Sequence, residues 1–325
     1  MNVSNDNTPA LYINPLTDYG FKKVFGDEEI MREFLNDLLQ PASPITHVNF
    51  LNKDMIPEND ELKGIIYDMR CETENGSEII VEMQNRGQTF FRDRILYYLA
   101  QSIAPQGWRG KKPVEGNVED MQKLVKEAWD FKLKPVYGVF FLNFPLNELT
   151  PRLIRTVRFK VEETGEVFND KVRAYTIELP CIKDKKESDC KDVMEYWSYN
   201  LYNMETMNTQ LPFMAQKPIF MKMAEIANYA QLTTEQQDAY MRSLNNYRTV
   251  MADKEYDYTR GRQEGEALGM KKGEALGMKK GEALGMKKGE YHKALSIAQY
   301  LKSAGMPVSQ ISQATGLTED EVRNL

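Results

Sequence analysis

Apolar positions change their period several times along the chain, and each change marks an element. In "LTDYGFKKVFGDEEIMREFLNDLLQP" they fall at Phe21, Val24, Phe25, Met31, Phe34, Leu35, Leu38 and Leu39, a helical spacing broken at Gly26-Asp27, which predicts two helices. "ITHVNFL" then reads as a strand, and "IIYDMRCETENGSEIIVEMQ", residues 65–84, as two strands around an Asn75-Gly76 turn. In "QTFFRDRILYYLAQSIA" Phe91, Ile95, Leu99 and Ile103 make one helical stripe, and "MQKLVKEAWDF" predicts another helix. The unbroken apolar run in "KPVYGVFFLNF" suits a strand buried on both faces, and "KVRAYTIELP" is a further strand. Beyond it the pattern turns helical through "CKDVMEYWSYNLYNM", "PIFMKMAEIANYA" and "TEQQDAYMRSLNNYRTVMADKEYDYTRG".

The octapeptide "GEALGMKK" follows three times over, from Gly265 to Lys288, inside a series with Gly at every fourth position from Gly261 to Gly289. Each interior Gly costs about 0.8–1 kcal/mol relative to Ala, while Glu, Ala, Leu, Met and Lys are good helix formers, so a marginal helix or mobile linker is expected. A tolerated spacer born of duplication is the plain reading; a close approach of two helices along the glycine stripe is the other.

The hairpin is the segment where pattern and chemistry meet. A simple two-residue Asn75-Gly76 turn would set Asp68 opposite Met83 and put Glu82 on the other face. The apolar sets reject that register: Ile65, Tyr67, Met69 and Cys71 share a face with Ile79, Val81 and Met83 only if paired residue numbers sum to 150. Asp68 then stands directly opposite Glu82, across a three-residue loop, Glu74-Asn75-Gly76, in which Gly76 takes the left-handed conformation. The second face carries Ile66, Asp68, Arg70, Ile80, Glu82 and Gln84. Opposed carboxylates repel, which makes sense when a cation sits between them, and carboxylate oxygens favour Mg²⁺, Mn²⁺ or Ca²⁺. Simple alternation on a sheet with one wet face gives the same pattern, with Asp68 and Glu82 pointing to solvent beside Arg70.

Composition adds boundaries. With 325 residues, 42% hydrophobic and 10% aromatic, the chain has enough apolar material for a sizeable core. Cys71, Cys181 and Cys190 lack metal-type spacing and are expected to be ordinary thiols in a reduced compartment. Neither a leader pattern nor a membrane-spanning apolar run is visible, so a cytoplasmic protein without a membrane partner is expected. The net charge of −6 is uneven: from Arg86 to Lys160 fourteen Lys and Arg face seven Asp and Glu, leaving a local basic surface of +7.

The ordered series "LTDYGFKKVFG", "YDMRCE", "IIVEMQ", "FFRDRILYYLA", "KPVYGVFFLNF", "YTIELP" and Trp197 resembles the PD-(D/E)xK nuclease superfamily, in particular its recombination-promoting nuclease (Rpn) branch with transposase relatives. The resemblance covers most of the chain. It implies an α/β fold with a restriction-endonuclease-like mixed sheet flanked by helices, an α-helical extension and a C-terminal helical tail. It further implies Mg²⁺-dependent hydrolysis of DNA phosphodiesters, leaving a 5′-phosphate and a 3′-hydroxyl. By it Asp68 is the motif's Asp, Glu82 its second acid, Gln84 stands where many members carry lysine, Asp18 matches the acidic residue of the first helix, and the Met83 carbonyl is a further metal ligand. A neutral amide at Gln84 orients through hydrogen bonds but brings no charge, which puts the rate in doubt. Asp18, at a helix start, is equally a cap.

For DNA, Arg94, Tyr98 and Gln101 recur at helical spacing and Arg152, Arg155 and Arg158, with Lys160, form a run without an intervening acid; both suit phosphate contacts, and both suit an ordinary solvated face. The last segment, "VSQISQATGLTEDEVRNL", resembles a helix-turn-helix, with Ile311, Ala314, Leu317, Val322 and Leu325 apolar, Gly316 at the turn and a Thr318–Glu321 capping box. Glu319 and Asp320 in the first turn repel DNA, so docking or homo-oligomerisation is expected of it. The expected divisions are 12–200 for the nuclease-like domain, 201–258 for the helical extension, 259–290 for the repeat and 291–325 for the terminal module. Two other readings are a catalytically degenerate nuclease fold that binds DNA or assembles proteins, and an interaction scaffold worked by the repeat and terminal helices.

Overall fold

The computed structural model describes residues 10–51, 68–107, 132–146, 149–207 and 217–325; the expected helix "MQKLVKEAWDF" and the hairpin positions Ile65, Ile66 and Tyr67 lie outside these. The chain divides into two compact units, 1–254 and 255–325.

The first unit is built on a mixed sheet. Its strands are β1 (Val48–Phe50), β2 (Met69–Thr73), β3 (Glu78–Gln84), β4 (Val136–Leu142), β5 (Ile154–Lys160) and β6 (Val167–Glu178), in the order β1-β2-β3-β4-β6-β5. β4 lies parallel to both β3 and β6, and the other pairs are antiparallel. Flanked by two strands and covered on both faces, β4 has only apolar residues and one glycine to offer, in agreement with its unbroken run.

Alternation decides which side chain meets which layer. Val81, Met83, Val139, Phe141, Tyr175 and Ile177 enter the larger core, with α1 (Asp18–Phe25), α2 (Glu28–Leu39), α4 (Val193–Asn203), α5 (Pro218–Ile226) and the beginning of α6 (Thr234–Ser303). Ile80, Val136, Phe140, Leu142 and Ala174 face the opposite layer, where α3 (Phe91–Ile103) presents Phe91, Ile95, Tyr98 and Leu99. The larger core centres on an aromatic cluster in which Trp197, fully buried, meets Phe34 and Phe220 at ring centroids 5.5 and 4.8 Å away. Its indole N–H donates to Asp37 at 2.7 Å, so the ring is buried without an orphaned donor.

The Gly26-Asp27 break is a capped junction: Asp27 Oδ1 accepts from Glu29 N and Ile30 N, both at 3.1 Å, and starts α2. At α1 the cap is Thr17, whose hydroxyl accepts from Gly20 N at 2.9 Å. Gly20 has no room for a side chain, since a Cβ there would stand 2.0 Å from the Asn14 carbonyl oxygen and 2.8 Å from Thr17 Oγ1. Gly20→Ala is therefore expected to cost about 1–3 kcal/mol by forcing the chain off α1, read as a lower denaturant midpoint at unchanged slope. An unchanged midpoint would show that residues 14–17 yield freely.

The segment carrying Arg155 and Arg158 is a strand, β5, rather than the plain charge run its composition suggested. Arg155 is committed within the fold: Nη1 donates to buried Glu178 at 2.5 Å and Nη2 to the Thr150 carbonyl at 2.7 Å. Arg152 and Arg158 are exposed.

The octapeptide repeats are helical, inside α6, where good helix formers outweigh the glycines and Arg262 pairs with Glu266 at 2.9 Å. The second unit has its own small core of Ala298, Ile311, Leu317 and Val322. There α7 (Val308–Thr315) ends at Gly316 in the left-handed conformation, φ 73°, and α8 (Glu319–Arg323) opens on the Thr318–Glu321 capping box. Ala314 is exposed, unlike the other four expected apolar positions. Among the described residues no helix is long and apolar enough to cross a membrane.

Candidate functional site

The hairpin adopts the register that its apolar sets require. Met69 pairs with Val81, Arg70 with Ile80, Cys71 with Ile79 and Glu72 with Glu78. The turn closes through Thr73 N to Ser77 O at 3.0 Å and Gly76 N to Thr73 O at 2.8 Å, with Gly76 at φ 73°. Glu74, at the start of the loop, is tied to the lead-in of β1 by accepting from Thr46 N and His47 N at 3.1 and 3.3 Å.

One residue before β2, Asp68 meets Glu82. The two interlock through each other's strand: Asp68 N donates to Glu82 Oε1 at 3.1 Å, and Met83 N donates to Asp68 Oδ2 at 2.7 Å. In extended backbone the N–H and C=O of one residue point to the same strand edge, so the Met83 carbonyl shares the edge that faces Asp68. Glu82 is 1% exposed, which rules out a wet face for this carboxylate. Burial first, and then the Asp68 charge, push its carboxyl up to about 8, against the smaller opposing pull of the Asp68 N–H, Arg94 and Gln84.

Arg70, on the same face, has a partner of its own within the sheet. Its Nε donates to Glu78 Oε1 at 2.7 Å, and both side chains are 5% exposed, so its charge is balanced inside the sheet.

Gln84 completes the row. Its Nε2 donates to Glu82 Oε2 at 2.9 Å and its Oε1 accepts from Arg94 Nη1 at 3.3 Å. Arg94 also donates from Nη1 to Gln88 at 3.1 Å and from Nε to Tyr98 OH at 2.7 Å. Tyr98 is 6% exposed and its hydroxyl accepts from Arg94, which places it inside the α3 packing. Gln101 is exposed on the same helix.

Asp18 is the first residue of α1. It pairs with Lys22, and it lines a cavity of about 440 Å³ with Asn85, Ser243, Asn246, Tyr247 and Val250, at the end of β3 where odd-numbered residues face α1. Sequence reading had no signal for the network that closes this end of the sheet. There Asn143 donates to Asn85 at 3.1 Å and to the Tyr247 hydroxyl at 3.4 Å, Asn85 donates to the Leu16 carbonyl at 2.7 Å, and Lys254 donates to the Asn143 carbonyl at 2.7 Å. Gln88, which shares Arg94 with Gln84, was missed as well.

As a donor set, Asp68 and Glu82 fit a hard divalent ion. Two oxygen donors are directly opposed, and the ionisation of one is suppressed by the other, a cost that a shared cation removes. Among the described residues no group of three or more His, Cys, Asp or Glu is assembled.

A family model described as PD-(D/E)XK nuclease family transposase matches residues 15–256, a span that contains the whole hairpin, α3 and the sheet. No curated protein and no solved structure matches the chain.

Proposed function

From the premise that this chain belongs to the PD-(D/E)XK nuclease family transposases, we propose that it is a divalent-metal-dependent DNA endonuclease whose centre is the Asp68–Glu82 pair. The supporting observation is their interlock across the β2–β3 hairpin with Glu82 taken out of solvent. A burial that suppresses a carboxylate's charge is costly for a surface decoration and sensible for a cation ligand.

In this reading Asp68, Glu82 and the Met83 carbonyl hold Mg²⁺, or Mn²⁺ or Ca²⁺ in its place. The ion supplies activation of water and neutralisation of phosphate charge. Glu82 keeps its orientation because Asp68 N–H and Gln84 Nε2 each hold one of its oxygens. Gln84 offers a donor to the reacting groups, and Asp68, less buried, is the ligand that solvent and substrate reach first. Exposed Gln101, Arg152 and Arg158 remain the proposed phosphate contacts, which position DNA without reading its sequence. Asp18, across the end of β3, keeps a proposed supporting role at the cavity it lines.

Supercoiled plasmid supplies the test. Wild type is expected to nick it with Mg²⁺ or Mn²⁺ and not with EDTA, and Asp68→Asn to lose at least about 100-fold of the rate. Equal nicking by both proteins would reject the assignment. DNA binding without cleavage in any metal would instead make the chain a binding or assembly module on a nuclease fold.

A further inference from the structure

The Gln84 amide is held at both ends, and the two partners do not leave its orientation open. Arg94 carries only donors, in every protonation state, so the end of the amide that faces it has to be the oxygen. The NH₂ end is thereby committed to Glu82 Oε2, at 2.9 Å. A glutamine without such an anchor turns over freely and offers donor or acceptor at will.

Arg94 is itself fixed. Tyr98 lies one helical turn on, at the i,i+4 spacing, with its ring centroid 5.0 Å from the guanidinium carbon. Nε donates to the Tyr98 hydroxyl at 2.7 Å, and Nη2 donates to the same oxygen. The phenol sits in the α3 core against Phe140, at a ring distance of 6.4 Å, so the guanidinium is fastened to a rigid part of the fold. With its N–H groups directed at Tyr98, Gln84 and Gln88, Arg94 is arranged for work inside the protein more than for a passing phosphate.

Resting on the nuclease reading above, we propose that Arg94 is a positioning residue for the hydrolytic centre. It locks the Gln84 amide with one N–H on Glu82 and the other presented to the attacking water or a phosphate oxygen, and it places one hydrogen bond away the positive charge that a glutamine lacks. Tyr98 is the brace that holds it there.

The test compares wild type with Arg94→Met, Arg94→Lys and Tyr98→Phe. Arg94→Met is expected to lower kcat about 10- to 100-fold, as loss of an orienting partner does, with KM for DNA and its salt dependence unchanged. Tyr98→Phe is expected to give a smaller loss of the same kind. A rise in KM with a flatter salt dependence at wild-type kcat would make Arg94 a DNA contact and overturn the proposal. A second readout needs no cleavage: with glutamine labelled by ¹⁵N and Gln84 assigned through Gln84→Glu, its side-chain amide should be a shifted, exchange-protected pair in wild type and should collapse to the free-glutamine position in Arg94→Met. An unchanged amide signal in that variant defeats the idea. Should Arg94→Met fail to fold, Arg94→Lys carries the test, since lysine keeps the charge but lacks the fork that spans Tyr98 and Gln84; wild-type kcat and a wild-type Gln84 signal there would equally overturn it. If wild type cleaves nothing in any metal, the nuclease reading falls, while the Gln84 signal still decides whether Arg94 positions the amide.

Discussion

Glu82→Gln is expected to abolish cleavage while leaving the fold as stable as before, or slightly more so. Glu82 is 1% exposed with its carboxyl pushed up to about 8, so in cation-free buffer at neutral pH it is mostly protonated. Glutamine matches that neutral form in shape. It still accepts one of the two hydrogen bonds that Asp68 N and Gln84 Nε2 now give, and it needs no proton to be taken up on folding, as Glu82 does between about 4.5 and 8. Because one amide N–H replaces an acceptor oxygen, the gain in stability stays small. What glutamine cannot supply is an anionic oxygen for a cation, and the rate should fall at least about 100-fold. Denaturant midpoints in EDTA together with plasmid nicking check both halves. Nicking within a few-fold of wild type would remove Glu82 from the centre; a large loss of stability would make it a structural carboxylate instead.

Cation affinity and pH are expected to be tightly linked. Glu82 has its folded-state value near 8, above the ordinary 4.5, so between these two the folded protein holds a proton that the unfolded chain has released. Stability without cation is therefore unpenalised by this group below about 4.5, declines as pH rises through that window, and carries the full burial cost above about 8. A divalent ion has to displace the proton, so its affinity should rise about tenfold per pH unit below 8, or roughly 100-fold from pH 6 to pH 8. Calorimetric titration with Mn²⁺ at pH 6, 7 and 8 reads this directly, and Glu82→Gln should flatten it. A pH-independent affinity in wild type would mean that the ion binds without Glu82.

The centre was legible in the sequence to the extent that it is local. Two opposed apolar sets and one glycine were enough to put Asp68 opposite Glu82, because a slip of one residue would have turned every side chain of the hairpin over. The continuous run of β4 gave its burial because it is apolar on both faces. Tyr98 had a signal that was underused: it adjoins Leu99 on the apolar flank of α3, and its spacing from Arg94 already allowed a bond within the helix. Other features depend on residues distant in the chain. Arg155 looks like any surface arginine until Glu178 is brought beside it by the β5–β6 pairing, and the Lys254 contact with Asn143 spans 111 positions. β5 itself was hidden because "IRTVRFK" puts cations on both of its faces and is largely exposed, so it reads as charge before it reads as strand. At α1, Thr17 and Asp18 are both good caps, and only the hydrogen bond to Gly20 N shows that the hydroxyl has the task.

The cations on β5 also bear on how the protein behaves in crowded solution. β5 is the last strand in the sheet order, with Val157 and Phe159 substantially exposed beside it, an outline that invites another sheet to dock along its free backbone and start an aggregate. Any copy aligned there would have to bring its own Arg158 and Lys160 against the same charges. Among the described residues the rim of the sheet thus carries like charges, Arg158 and Lys160, that oppose fibre-like stacking by mutual repulsion.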